Sequence, residues 1–94
     1  MASYKFADTP KWMATFTVNP GSVGAQETLA VTLSSTFKPA RVNDLVKVWA
    51  PSLEDNLVLV DTVVTTAGTV TVKIGNLTAT PVNPAEQVFI AAGF

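Results

Sequence analysis

A chain of 94 residues makes one domain at most, able to bury roughly 60 to 65% of the surface it exposes when unfolded. With 48% hydrophobic and 14% charged residues and a formal net charge of −1, it is globular rather than disordered and poor in surface charge; either a partner covers apolar area, or Thr and Ser supply the polar surface. Lys5, Lys11, Lys38, Arg41, Lys47 and Lys73 lie scattered, which argues against nucleic acid as a partner, and the absence of cysteine excludes disulfides and thiolate metal sites.

The amino terminus, MASYKFADTPKW, lacks the apolar core of a signal peptide, and no run of about 18 apolar residues offers a membrane span, so a protein made in a cytoplasm is expected. Residues 1–12 read as an extended arm, because Met1 to Lys11 show no periodicity and Asp8-Thr9-Pro10 is a turn or extended signal. Tyr4, Phe6 and Trp12 could anchor that arm on a neighbour, since aromatics bury large area with few torsions to freeze; equally, the arm could fold over its own core.

Residues 13–94 read as a single β-sandwich domain. In MATFTV, Met13, Thr15 and Thr17 share one face and Ala14, Phe16 and Val18 the other, the pattern of a half-buried strand. Asn19-Pro20-Gly21-Ser22 breaks it, and Glu27 to Leu33 forms a second strand with Leu29, Val31 and Leu33 inward. After a connection containing Pro39, Asp44 to Ala50 resumes strand character. Val46 and Val48 share one face there, and Leu45, Lys47 and Trp49 share the other, a face that meets solvent or a subunit unless Trp49 fills the sandwich edge.

Pro51 to Asp55 is a turn or single helical turn, and no longer helix is expected. Leu57 to Val64 is apolar on both faces, as expected of a central strand covered on both sides, with Asp61 marking its emergence into water. Thr65-Thr66-Ala67-Gly68 then turns the chain into Thr69 to Ile74, with Val70, Val72 and Ile74 inward, so that Asn56 to Ala79 reads as a hairpin at the heart of the domain. Gly75-Asn76 permits a bulge or bend, and Gln87 to Ala92 makes a last strand carrying Val88 and Ile90. The fold expected is all-β: a small antiparallel β-sandwich or jelly-roll-like barrel of about six or seven strands.

Without His or Cys, the commonest general base, metal ligand and thiol nucleophile are missing, so no catalytic, cofactor-binding or metal residue is assigned and a non-enzymatic role is expected. Asp44 and Asp61 near strand ends have no spacing that supports a glycosidase pair or a calcium site. Arg41 and Asp44 are close enough for a loop ion pair, and Asn76-Leu77-Thr78 matches the glycosylation triplet, which is common by chance. Trp12, Trp49 and Phe37 are candidates for a sugar-binding platform, although nothing in the sequence aligns them.

Gly21-Ser22 leading into a Thr-rich strand, then Asn43-Asp44-Leu45-Val46-Lys47-Val48, Pro51-Ser52-Leu53, and Val70-Thr71-Val72 to Asn76-Leu77-Thr78-Ala79, resembles small β-sandwich virion proteins of tailed bacteriophages, over residues 21–92. That group carries a Gly-Asp-x-Val turn; Asn43 stands here in place of the glycine and tolerates the left-handed conformation next best. The resemblance implies a head decoration (cement) protein on the capsid surface, bound to the major capsid protein, a homo-oligomer with a trimer favoured. The alternative is a tail fibre or baseplate module, or a carbohydrate-binding adhesin domain. In the cement role Tyr4, Phe6 and Trp12 would anchor to the capsid, while Trp49 and Phe94 would be subunit contacts.

Overall fold

The computed structural model describes residues 9–54 and 56–94. Among them the regular elements are seven strands: β1 (Trp12–Val18), β2 (Thr28–Ser34), β3 (Leu45–Trp49), β4 (Leu57–Val60), β5 (Thr62–Val63), β6 (Val70–Asn76) and β7 (Gln87–Gly93). They form two antiparallel sheets, one of four strands in the order β1-β7-β3-β5 and one of three in the order β2-β6-β4, which together make a β-sandwich.

Alternation of side chains explains the core. From β6, Val70, Val72 and Ile74 point inward and are fully buried, matched by Val46 of β3 and Phe89 and Ala91 of β7. Val31 and Leu33 of β2 complete the layer as expected, with Leu29 only half-buried. Each large apolar side chain fully withdrawn from water contributes about 1.5 to 3 kcal/mol, so these positions fix the register of both sheets.

One expectation is corrected, and two features the sequence left open are decided. The run Leu57 to Val64 is not one central strand: it divides at exposed Asp61 into β4, an edge of the three-stranded sheet, and β5, an edge of the other. The chain crosses between sheets there because a charged residue cannot continue a two-sided apolar strand, while β4 still pairs with β6 from Leu57↔Asn76 to Val60↔Lys73, preserving the hairpin. Second, β7 takes the central place between β1 and β3, with Phe89 and Ala91 inward and Val88 and Ile90 outward. Third, the register shift falls between Thr32 and Ser34 of β2, whereas Gly75 and Asn76 stay in regular strand.

The ends of the sandwich are closed by loops. Val23 and Val82 form an isolated antiparallel bridge with two backbone hydrogen bonds, of 2.7 and 3.0 Å. Asn43 adopts φ 77°, with the Asp44 amide donating to the Arg41 carbonyl at 3.1 Å. The glycine-type turn is therefore kept by the residue expected to tolerate it.

Candidate functional site

The turn at Arg41 to Asp44 aims one carboxylate into the protein. Asp44 is 2% exposed, and its Oδ2 accepts from Trp12 Nε1 at 3.0 Å and from the Arg41 amide at 3.1 Å, while its Oδ1 accepts from Lys11 Nζ at 3.0 Å. The Trp12 hydrogen bond leads in holding the Asp44 carboxyl down to about 2, the Arg41 amide and Lys11 adding to it against the opposing effect of burial. Arg41 thus serves through its backbone, and the ion pair belongs to Lys11.

Trp12 reaches Asp44 because its indole lies over Gly93, where a Cβ would fall 2.2 Å from the ring. Its ring also packs edge-to-face on Phe37, with centroids 5.0 Å apart, and Phe37 packs on Phe16 at 5.5 Å. Trp12 is 8% exposed, so its expected role as a partner anchor is corrected: it is a core residue, held by apolar packing and by an acceptor for its N–H. Lys11 and Trp12, placed at the end of the arm, belong to the domain, with the Lys11 amide donating to the Gly93 carbonyl at 2.7 Å. Tyr4 and Phe6 lie outside the described residues.

A second buried polar residue closes the other end. Asn76 is 3% exposed; its amide nitrogen donates to the Val23 carbonyl at 3.1 Å and the Thr80 carbonyl at 2.9 Å. Its oxygen accepts from the Thr78 amide at 2.9 Å and the Thr78 hydroxyl at 2.7 Å. With every donor and acceptor direction used, this asparagine is a structural tie, and burial removes it as a glycan acceptor in the folded chain.

The exposed apolar residues concentrate on the outer face of the four-stranded sheet. Antiparallel register sets Met13 beside Ala92 and Ala92 beside Lys47, then Thr15 beside Ile90 and Ile90 beside Trp49, with Thr17 beside Val88 and Leu45 beside Val63. Met13 is 59% exposed, Val63 49%, Trp49 47% and Val88 43%, and Leu45 is exposed too, whereas Ala92 is buried and Ile90 half-buried, so half of these positions are apolar and open to water. Trp49 therefore does not fill the sandwich edge. Phe94 is half-buried at the other end of β3, exchanging backbone hydrogen bonds of 2.8 and 3.2 Å with Leu45. The outward positions of the other sheet are Thr28, Ala30, Thr32, Thr71, Lys73 and Gly75, with Val58 and Val60 on its edge strand.

The sequence candidates are thus divided between two environments. Trp12 and Phe37 meet in the core region while Trp49 stands on the outer face, so the three do not form one sugar-binding platform. Two shallow clefts open on the surface, one lined by Ser35, Thr36, Lys38 and Gly68, the other by Asp61, Thr62, Thr65 and Lys73. Among the described residues no group of three or more His, Cys, Asp or Glu is placed to hold a metal ion. Sequence reasoning missed the burial of Asp44 and Asn76; the Asn-x-Thr spacing could have pointed to the latter as an Asx turn. No protein-family model, curated protein or solved structure matches the chain.

Proposed function

We propose that this chain is a non-enzymatic virion structural protein, a capsid decoration (cement) protein that binds the phage head shell and stabilises it. The observation that carries the proposal is the broad apolar outer face of the four-stranded sheet, on a chain whose 14% charged residues leave little else to keep that face in water. The sequence resemblance to small β-sandwich virion proteins of tailed phages points the same way. The role asks for no reacting group. A rigid sandwich that buries surface on several shell subunits raises the free energy needed to separate them, and symmetry repeats the contact over the whole shell. Self-association, with a trimer favoured, would use the open strand edges of β1, β2, β4 and β5.

The test is co-sedimentation of the purified chain with undecorated shells built from the major capsid protein encoded in the same genome. Saturable binding at a stoichiometry set by shell symmetry, with shells more resistant to heat, is the expected result. No binding to shells overturns the proposal, and glycan affinity of the isolated domain in its place moves the chain to the fibre or adhesin class. Removal of residues 1–8, which leaves the Lys11–Asp44 pair intact, measures what Tyr4 and Phe6 contribute.

A further inference from the structure

We infer that the outer face of the four-stranded sheet is the surface that docks on the shell, and that it takes an apolar protein surface bearing a carboxylate opposite Lys47; this inference rests on the cement reading above. Lys47 is exposed in the row Met13–Ala92–Lys47, with Leu45 and Trp49 on the same side of its own strand. It is the single charged residue among the strand positions that make up this face, and none of them is Asp or Glu. Any partner that covers Met13, Trp49 and Val88 also strips water from the neighbourhood of this ammonium group, which is unfavourable unless an anion meets it.

That requirement selects between occupants. A second copy laid face to face brings the same apolar residues and a second Lys47 but no carboxylate, so it leaves both cations without a counter-charge. A different protein with an acidic residue set in an apolar patch satisfies both demands. Trp49 and Met13, large and open on this face, supply the apolar anchors. Trp49 is thereby assigned to the shell contact rather than to a contact between copies.

Size supports a repeated contact over an isolated one. Strands of seven, seven, five and two residues, at about 3.3 Å per residue and spaced about 4.8 Å apart, give a face of roughly 330 Å² in projection. A stable pairwise interface covers about 800 Å² on each partner, so one copy of this face holds weakly, and strength comes when associated copies of the chain engage several sites of an array at once. A capsid shell is such an array.

The experiment compares the full chain with Lys47→Glu, Trp49→Ser and, on the opposite sheet, Lys73→Glu in the shell co-sedimentation assay, with light scattering of each protein alone. All three positions are exposed, and matching thermal transitions verify that each variant folds. Expected is a loss of shell affinity of about tenfold or more for Lys47→Glu and for Trp49→Ser, with Lys73→Glu binding as the parent does. If the parent binds shells and the two face variants bind equally well, the docking face is wrong and the cement function stands. If the parent does not bind, the function and the face both fall. If Lys47→Glu or Trp49→Ser lowers the mass of the free protein by dissociating copies, the occupant is a second copy, and the assignment to the shell is overturned.

Discussion

Two of the buried polar residues, Asp44 and Asn76, close the sandwich at opposite ends by opposite means. Asp44 lies where β1 begins and β3 is entered, charged and met by three donors; Asn76 ends β6, neutral and balanced between two carbonyls and two Thr78 donors. The Gly68 amide, which donates to the Ala40 carbonyl at 2.9 Å, ties the start of β6 to the Asp44 end and so places Asn76 at the far one. The difference teaches that a converging set of N–H groups calls for an anion, whereas a mixed set of donors and acceptors calls for an amide. Only the first makes the fold sensitive to pH.

Making the two ends alike is the most severe way to break this contrast. Asn76→Asp sets a carboxylate against the Val23 and Thr80 carbonyls and is expected to cost about 3 to 5 kcal/mol at neutral pH, read as a fall in the urea midpoint. Because its folded pKa is raised, the lost stability returns as the pH falls; a variant no less stable than the parent at pH 7 contradicts the assignment. Asp44→Ala comes next, at about 3 kcal/mol, since it strands the Trp12 and Arg41 N–H groups without an acceptor.

Gly93→Ala attacks the Asp44 end from behind. A methyl group there displaces the Trp12 indole and costs about 1 to 3 kcal/mol, with a red-shifted Trp12 emission measurable in a Trp49→Phe background. Asp44→Asn sharpens the comparison instead of breaking it. One amide oxygen can still accept from Trp12 and Arg41, but an NH2 group then faces Lys11 Nζ, at a cost of about 1 to 2 kcal/mol. In the parent, the depressed pKa of Asp44 contributes stability that is complete above its ordinary value of 3.8 and is lost as the pH falls toward about 2. Asp44→Asn should flatten that part of the profile in acid denaturation, and an unchanged acid limb would remove Asp44 as its source. Lys11→Met is the mildest change, under about 1 kcal/mol, because the Lys11 side chain is 63% exposed and its pairing is screened by water.

Much of the fold was legible locally. Alternation in β1, β2 and β6 gave the correct inward residues because a two-residue period leaves a direct trace wherever one face is apolar and the other is Thr or Lys. The same signal failed in LVLVDTVV and QVFIAA, where both faces are apolar. For β7 the reason is that its outer face belongs to the exposed patch, so hydrophobicity no longer reports burial. The two open clefts and the candidate platform of Trp12, Phe37 and Trp49 gave no site, since proximity in a sandwich comes from register and crossover rather than sequence spacing.

By itself the sequence determined an all-β sandwich, the inward identities of three strands, the tolerance of Asn43 for a left-handed turn, and the outward grouping of Leu45, Lys47 and Trp49, all of which depend on neighbours within a few residues. The tertiary structure decided which strands are central, that Trp12 is core, that Asp44 and Asn76 are buried ties, and that Met13, Trp49 and Val88 share one face. Those outcomes join residues more than 30 positions apart, and nothing in a local pattern of polarity records which distant donor meets which acceptor or which strand lies beside which.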